Sequence, residues 1–179
     1  MWIYPVAVLW GFAEAPLFFI VPDVLTSAAA LRDVRTGLRA CVFALVGALA
    51  GGALMYGWGA RDEAAAVAAV EAVPGIDAAM MARVQGELAL NGAPALIVGP
   101  LTGTPYKTYA VQAAAAGIGG WEFLAVSVLG RLPRFVLVTL LAAWIARRWL
   151  WRAGFRTRLK VLLSVWTVFY AAYLLLMAG

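Results

Sequence analysis

Apolar runs separated by short polar stretches organise the chain, and two of these runs are broken. From residue 2 to 30 the sequence is apolar but interrupted by Pro5, Pro16 and Pro22, with Glu14 and Asp23 beside the breaks. A second apolar run, 93–117, is interrupted at Pro100 and Pro105 and carries Lys107. A proline removes a backbone donor and crowds the preceding turn, so neither run is expected to form one straight helix. In lipid, non-helical backbone is tolerated only where protein or a water-filled cavity satisfies its N–H and C=O groups. The pattern therefore predicts two re-entrant hairpins buried against each other, with Pro16, Pro22, Pro100 and Pro105 as their breakers.

Three further runs have the length of membrane spans. Residues 40–59 are uncharged, and at 1.5 Å per residue they cross roughly 30 Å. Within them Gly47, Ala48, Gly51 and Gly52 form small-xxx-small pairs that let another backbone approach closely, while Tyr56 and Trp58 fit an interfacial anchor. Residues 121–146 form a second span with Arg131, Pro133 and Arg134 in its middle, where Pro133 is expected to kink the helix and free a carbonyl. Residues 161–177 form the last, and Trp144, Trp149 and Trp151 lie where an aromatic belt would be.

The stretch 61–91 differs: it is rich in alanine and contains Asp62, Glu63, Glu71, Asp77 and Glu87 against Arg61 and Arg83. It predicts two short amphipathic helices split at Pro74-Gly75, the second capped by Asp77, striped by Met80, Val84 and Leu88, and stopped at Asn91-Gly92. These helices are placed on the outer surface or over the hairpins, as a lid or a scaffold.

Composition turns this pattern into a class. Of the 179 residues 65% are hydrophobic and 13% charged, with a mean hydropathy of +0.89, which a soluble domain of this size has too little interior to hide. There is no histidine and one cysteine, Cys41, which removes histidine relays, His or paired-Cys metal sites and an intrachain disulfide. Cys41 reads as a small core residue. No cofactor and no enzymatic chemistry are expected; the repertoire left is carboxylate, Lys, Arg, Tyr and backbone.

The net charge of +5 does not point to nucleic acid, because the basic residues cluster in short stretches between apolar runs. Residues 31–39 and 147–160 hold nine of the 14 Lys and Arg, read here as two cytoplasmic loops. Ala28-Ala29-Ala30 has the form of a signal-peptidase site, but Glu14 inside the apolar region and the lack of a preceding Lys or Arg argue against that reading. With both basic loops inside, the first hairpin opens inward and the second outward. The halves are then inverted repeats of hairpin plus span, the arrangement in which transporters build midplane substrate sites from broken helices.

Ionisable groups at membrane depth are costly and face a cavity or each other. Here they are Glu14, Asp23, Lys107, Arg131 and Arg134, with the carboxylates on one hairpin and the cations on the opposite half. Structural ion pairing is one reading. The other is an anion site, since the cations outnumber the carboxylates and broken-helix N-termini present free N–H groups. Arg131 and Arg134, at i, i+3, share a face on which they could clamp one phosphate or carboxylate. Thr102, Thr104 and Tyr106 either bond a headgroup or satisfy backbone opened by the prolines. Glu14 and Asp23 are the candidates for proton coupling; burial and a neighbouring arginine pull a carboxyl's proton affinity in opposite directions, and spacing does not decide between them.

At these residues the chain resembles the DedA superfamily, also called the SNARE-associated or VTT domain family, and within it the small YqaA-like bacterial branch. The resemblance runs over residues 10 to 150. It is carried by Glu14-x-Pro16 with Pro22-Asp23, by Gly47-x-x-x-Gly51-x-x-x-x-Tyr56-x-x-Gly59, by Thr104-Pro105-Tyr106-Lys107 leading to Ala116-Gly117, and by Phe123 with Gly130-Arg131-x-x-Arg134-Phe135. The resemblance implies two re-entrant hairpins of opposite orientation in a bacterial inner-membrane protein. It also implies flipping or scrambling of polyprenyl phosphate or phospholipid, with dependence on the proton gradient. Glu14 and Asp23 then stand for the family's acidic hairpin residues, and Arg131 and Arg134 for its functional arginines. Asp23 stands where Glu is common, and Gly99-Pro100 and Lys107 stand where the better-studied branch has arginines.

The combined expectation is an all-α polytopic membrane protein: an inverted repeat of two re-entrant helical hairpins, each followed by a transmembrane helix, plus a C-terminal transmembrane helix. It would move a lipid with an anionic headgroup through the polar cleft between the hairpins. The alternative is a non-transporting scaffold or assembly factor whose buried charges only hold the fold; a membrane enzyme acting on lipid phosphates has the least support. A homo-oligomer is compatible with these patterns.

Overall fold

The computed structural model describes residues 2–15 and 20–177, and Pro16 lies outside them. The described residues are all-helical: α1 (Ile3–Glu14), α2 (Asp23–Ala30), α3 (Val34–Arg61), α4 (Glu63–Glu71), α5 (Ala78–Asn91), α6 (Ala95–Leu101), α7 (Tyr106–Gln112), α8 (Gly120–Trp149) and α9 (Phe155–Met177). Two of these, α3 and α8, are long and apolar enough to cross a membrane. On α8, Leu129, Leu137, Leu140, Leu141, Trp144 and Ile145 are exposed, an apolar surface of the kind lipid covers.

The helix α3 is the central post, and its small residues set how closely other helices approach. A Cβ on Gly47 would lie 1.9 Å from the Val8 carbonyl oxygen, and one on Gly51 would lie 2.5 Å from that of Phe12. Gly11 of α1 returns the contact, 2.1 Å from the Ala44 carbonyl oxygen by the same measure. Farther along, Gly59 lies against the Val111 carbonyl of α7, and near the start Gly37 meets Ala30 of α2. The predicted small-residue faces are thus helix-packing seams. The second long helix follows a related rule: its buried residues Phe123, Ser127, Arg131, Phe135, Thr139, Ala143 and Ala146 recur at near-constant spacing and make one stripe. Against it lie α3, α2 and α6, the last closely enough that Gly130 faces the Leu96 carbonyl.

The polar stretches 31–39 and 147–160 are mostly helix rather than loop. Asp33 caps α3, accepting from the Thr36 amide at 2.8 Å and its hydroxyl at 2.7 Å, so the helix begins at Val34 and contains Arg35 and Arg39. The hydroxyl and amide bonds from Thr36 hold the Asp33 carboxyl below its usual range. At the other end α8 continues to Trp149 and α9 starts at Phe155, leaving a short turn between. The helix α8 runs through Pro133 without ending.

The acidic stretch forms the two expected helices. Asp77 caps α5 by accepting from the Met80 amide at 2.7 Å, Met80, Val84 and Leu88 are buried, and Gly92 stops the helix at φ +60°. Both α4 and α5 pack on α7, so this layer sits over the second broken run. Tyr56 packs inward: its hydroxyl donates to the Ile118 carbonyl at 2.8 Å and its ring lies against Phe123. Trp58, Trp144, Trp149 and Trp151 are exposed.

Candidate functional site

The site forms where the two broken runs meet the middle of α8. The helix α1 ends at Glu14, and α2 starts at Asp23 directly after Pro22, whose fixed φ suits the residue before a first turn. In the second run Pro105 likewise precedes α7, which brings Tyr106 and Lys107 into its first turn. Pro100 does not break the run; it lies inside α6, which ends at Leu101, and the turn is made at Gly103 with φ +101°.

Arg131 and Arg134 reach back to the first run but do not share a ligand. Arg131 Nη1 donates to Glu14 Oε2 at 2.7 Å, and Arg134 Nη2 is 3.2 Å from Asp23 Oδ2. Their i, i+3 spacing serves two carboxylates at once. The Arg131 guanidinium also lies 3.9 Å from the centroid of the Tyr106 ring, a cation–π contact that ties the second run to the first pair. The Tyr106 hydroxyl is engaged with Ser127 of α8. Asp23, Arg131 and Lys107 are buried, and Glu14 nearly so.

A cavity of about 170 Å³ opens on this cluster. Glu14, Lys107, Arg131 and Arg134 line it from the core side, together with Thr104 and Tyr106. The remaining wall is apolar or aromatic: Val73, Pro74 and Ile76 from the turn between α4 and α5, and Phe169, Tyr170 and Tyr173 from α9. The arrangement combines buried charge with walls suited to hydrocarbon. Among the described residues, buried Asp23 Oδ1, Arg131 Nε and Arg134 Nε have no hydrogen-bond partner in the protein. A buried polar atom without a partner costs about 1–3 kcal/mol, so the cluster is polar beyond what its own pairs satisfy.

Four predicted site residues, Glu14, Lys107, Arg131 and Arg134, come together in this wall, with Thr104 and Tyr106 beside them. Asp23 does not line the cavity; it sits behind, through Arg134. Thr102 is not at the site: its hydroxyl donates to the Gly99 carbonyl at 2.8 Å, the backbone-satisfying role. Thr104 Oγ1 accepts from Arg83 Nη2 at 3.4 Å, which links the second run to α5. Cys41 is a buried core residue beside Thr139.

The contribution of α9 is absent from the sequence reading. Tyr170 Oη accepts from the Val21 amide at 2.8 Å in the first run, and Tyr173 Oη reaches the Gly103 carbonyl at 3.5 Å in the second. The signal that could have found it is the stripe Trp166, Phe169, Tyr170 and Tyr173 at i, i+3, i+4 and i+7, one helix face. No family model matches the chain, and neither a curated protein nor a solved structure matches it.

Proposed function

We propose that the chain is a lipid transporter of the DedA kind, moving a lipid with an anionic headgroup such as polyprenyl phosphate or a phospholipid. The observation that carries this reading is the cavity itself, whose wall places Glu14, Lys107, Arg131 and Arg134 opposite apolar and aromatic side chains at the meeting of two broken runs. A phosphate suits arginine and lysine donors, and tails suit the apolar side. On this reading the headgroup exchanges with Glu14 for Arg131 while the tails remain in lipid, and protonation of Glu14 releases the arginine again.

The same reading makes each broken run a re-entrant hairpin and α9 a third span, in a bacterial inner membrane with residues 31–39 and 147–160 cytoplasmic. Packing supports the inverted repeat in two respects, α2 on α8 matching α7 on α3 and α1 on α3 matching α6 on α8, while the packing of α2 on α3 has no equal between α7 and α8. The glycine seams correspond as well, Gly47 and Gly51 against α1 and Gly130 against α6.

The scaffold reading has its own support in the closed pairs Glu14–Arg131 and Asp23–Arg134. Charge exchange separates the two. In the transporter, Glu14→Arg with Arg131→Glu regains thermal stability over either single change but does not regain headgroup translocation in proteoliposomes. Wild-type translocation in both the Glu14→Gln and Arg131→Gln variants overturns the transport proposal.

A further inference from the structure

A second cavity, of about 180 Å³ and almost wholly apolar, lies between α8 and α9, away from the charged site. The two helices are joined by the short turn 150–154, yet α9 leans on α2 and leaves a groove along α8. Val138, Leu141 and Ile145 form one side, and Leu162, Val165 and Trp166 the other. From Val138 to Leu150 the groove follows roughly 18 Å of helix at 1.5 Å per residue, close to one leaflet's share of a hydrocarbon core about 30 Å thick. Trp166 closes the deep end, its indole Nε1 donating to Ser27 Oγ at 3.4 Å.

The open end is basic. Arg158 lines it, with Nε donating to the Leu150 carbonyl and Nη2 to the Trp151 carbonyl, both at 3.1 Å, so the guanidinium is fixed at the mouth. Arg32 does not line the groove but follows the lining residue Leu31, its guanidinium 4.2 Å from the centroid of the Phe155 ring at the start of α9. No acidic residue occurs between Arg147 and Lys160, and the nearby Asp33 is occupied in capping α3. An apolar slot of one-leaflet length under a fixed cation matches one class of molecule.

We propose that this groove is a resident-lipid site for an anionic phospholipid, one acyl tail lying between α8 and α9 and the phosphate at Arg158. It rests on the reading of α8 and α9 as membrane spans and is independent of transport. The bound lipid fills the space that helix packing leaves open and fastens α9, whose tyrosines cover the other cavity.

The test is native mass spectrometry of the full chain released from vesicles of equal phosphatidylglycerol and phosphatidylcholine. The expected result is one retained phosphatidylglycerol, with occupancy falling at least tenfold in Arg158→Gln and in Ala142→Phe. The second variant fills the groove and leaves the α8–α9 turn intact, so a loss there is not a folding defect of the turn. Equal retention of the two lipids, unchanged occupancy in Ala142→Phe, or a second copy of the chain in place of lipid overturns the proposal. Extraction of the protein from membranes by alkaline carbonate would defeat the spanning reading instead.

Discussion

Arg131 is held by two different groups, the Glu14 carboxylate at 2.7 Å and the face of the Tyr106 ring, and its removal leaves Glu14 in a poor solvent. Breaking a buried pair from one side costs about 3–5 kcal/mol, because the remaining charge is uncompensated. Arg131→Gln is therefore expected to lower unfolding stability in detergent by about that amount, and Glu14→Gln with Arg131→Gln together by less than the sum, read from a double-mutant cycle. Additive losses would mean that the two groups do not interact. At this scale the sequence was informative where chemistry leaves few options: charges at membrane depth need partners, and only Glu14 and Asp23 were available to Arg131 and Arg134. Which acid meets which arginine depends on how α8 lies against the first run, and no local pattern encodes that. The separation of Asp23 from the cavity was illegible for the same reason, whereas the bond of Thr102 to the Gly99 carbonyl is the backbone-satisfying role, one of the two readings the sequence left open.

Helices pack here through glycine, and the expected outcome of changing one depends on what it touches. Gly47→Ala places a Cβ within 1.9 Å of a backbone carbonyl on α1, a clash that only a shift of one helix relieves. It should cost about 1–3 kcal/mol, the usual range for overpacking. Gly57 has no neighbour within 4 Å, so Gly57→Ala should instead stabilise by up to about 1 kcal/mol through helix propensity. Thermal melts in detergent check both, and equal effects would contradict the seam. The start of α3 has a pH signature. Asp33 is held below its unfolded value by Thr36, so its capping contribution is full above the unfolded pKa and is lost as pH falls through the folded one. Asp33→Asn keeps the cap and should flatten that acid limb in a pH series of melts. The two long apolar helices α3 and α8 and the Asp77 cap of α5 were legible because an apolar run and a capping residue are local. The basic stretches read as loops turned out to be helix ends, since Asp33 caps α3 as early as Val34 and no proline or glycine falls between Pro133 and Trp149 at the end of α8. Pro100 was misplaced as a breaker because it sits inside the last turn of α6, and the reversal falls at Gly103, whose positive φ a sequence pattern of prolines does not mark.

At the scale of the whole molecule, five segments far apart in sequence enclose one cavity with charge on one wall: the two broken runs, the middle of α8, and a cover made by α9 and the α4–α5 turn. The broken runs were legible because proline and charge both contradict a plain span. The α9 cover left only the aromatic stripe from Trp166 to Tyr173 as a sign, and a stripe marks one face of a helix without saying what lies against it. Lipid passage through this cavity is tested most directly by headgroup translocation in proteoliposomes, comparing labelled polyprenyl phosphate, phosphatidylethanolamine and phosphatidylglycerol, with and without a pH gradient. The account predicts movement of a phosphate-bearing lipid that falls at least tenfold in Glu14→Gln. No movement of any of the three by folded wild-type protein would contradict it, and would return the Glu14–Arg131 and Asp23–Arg134 pairs to a purely structural role.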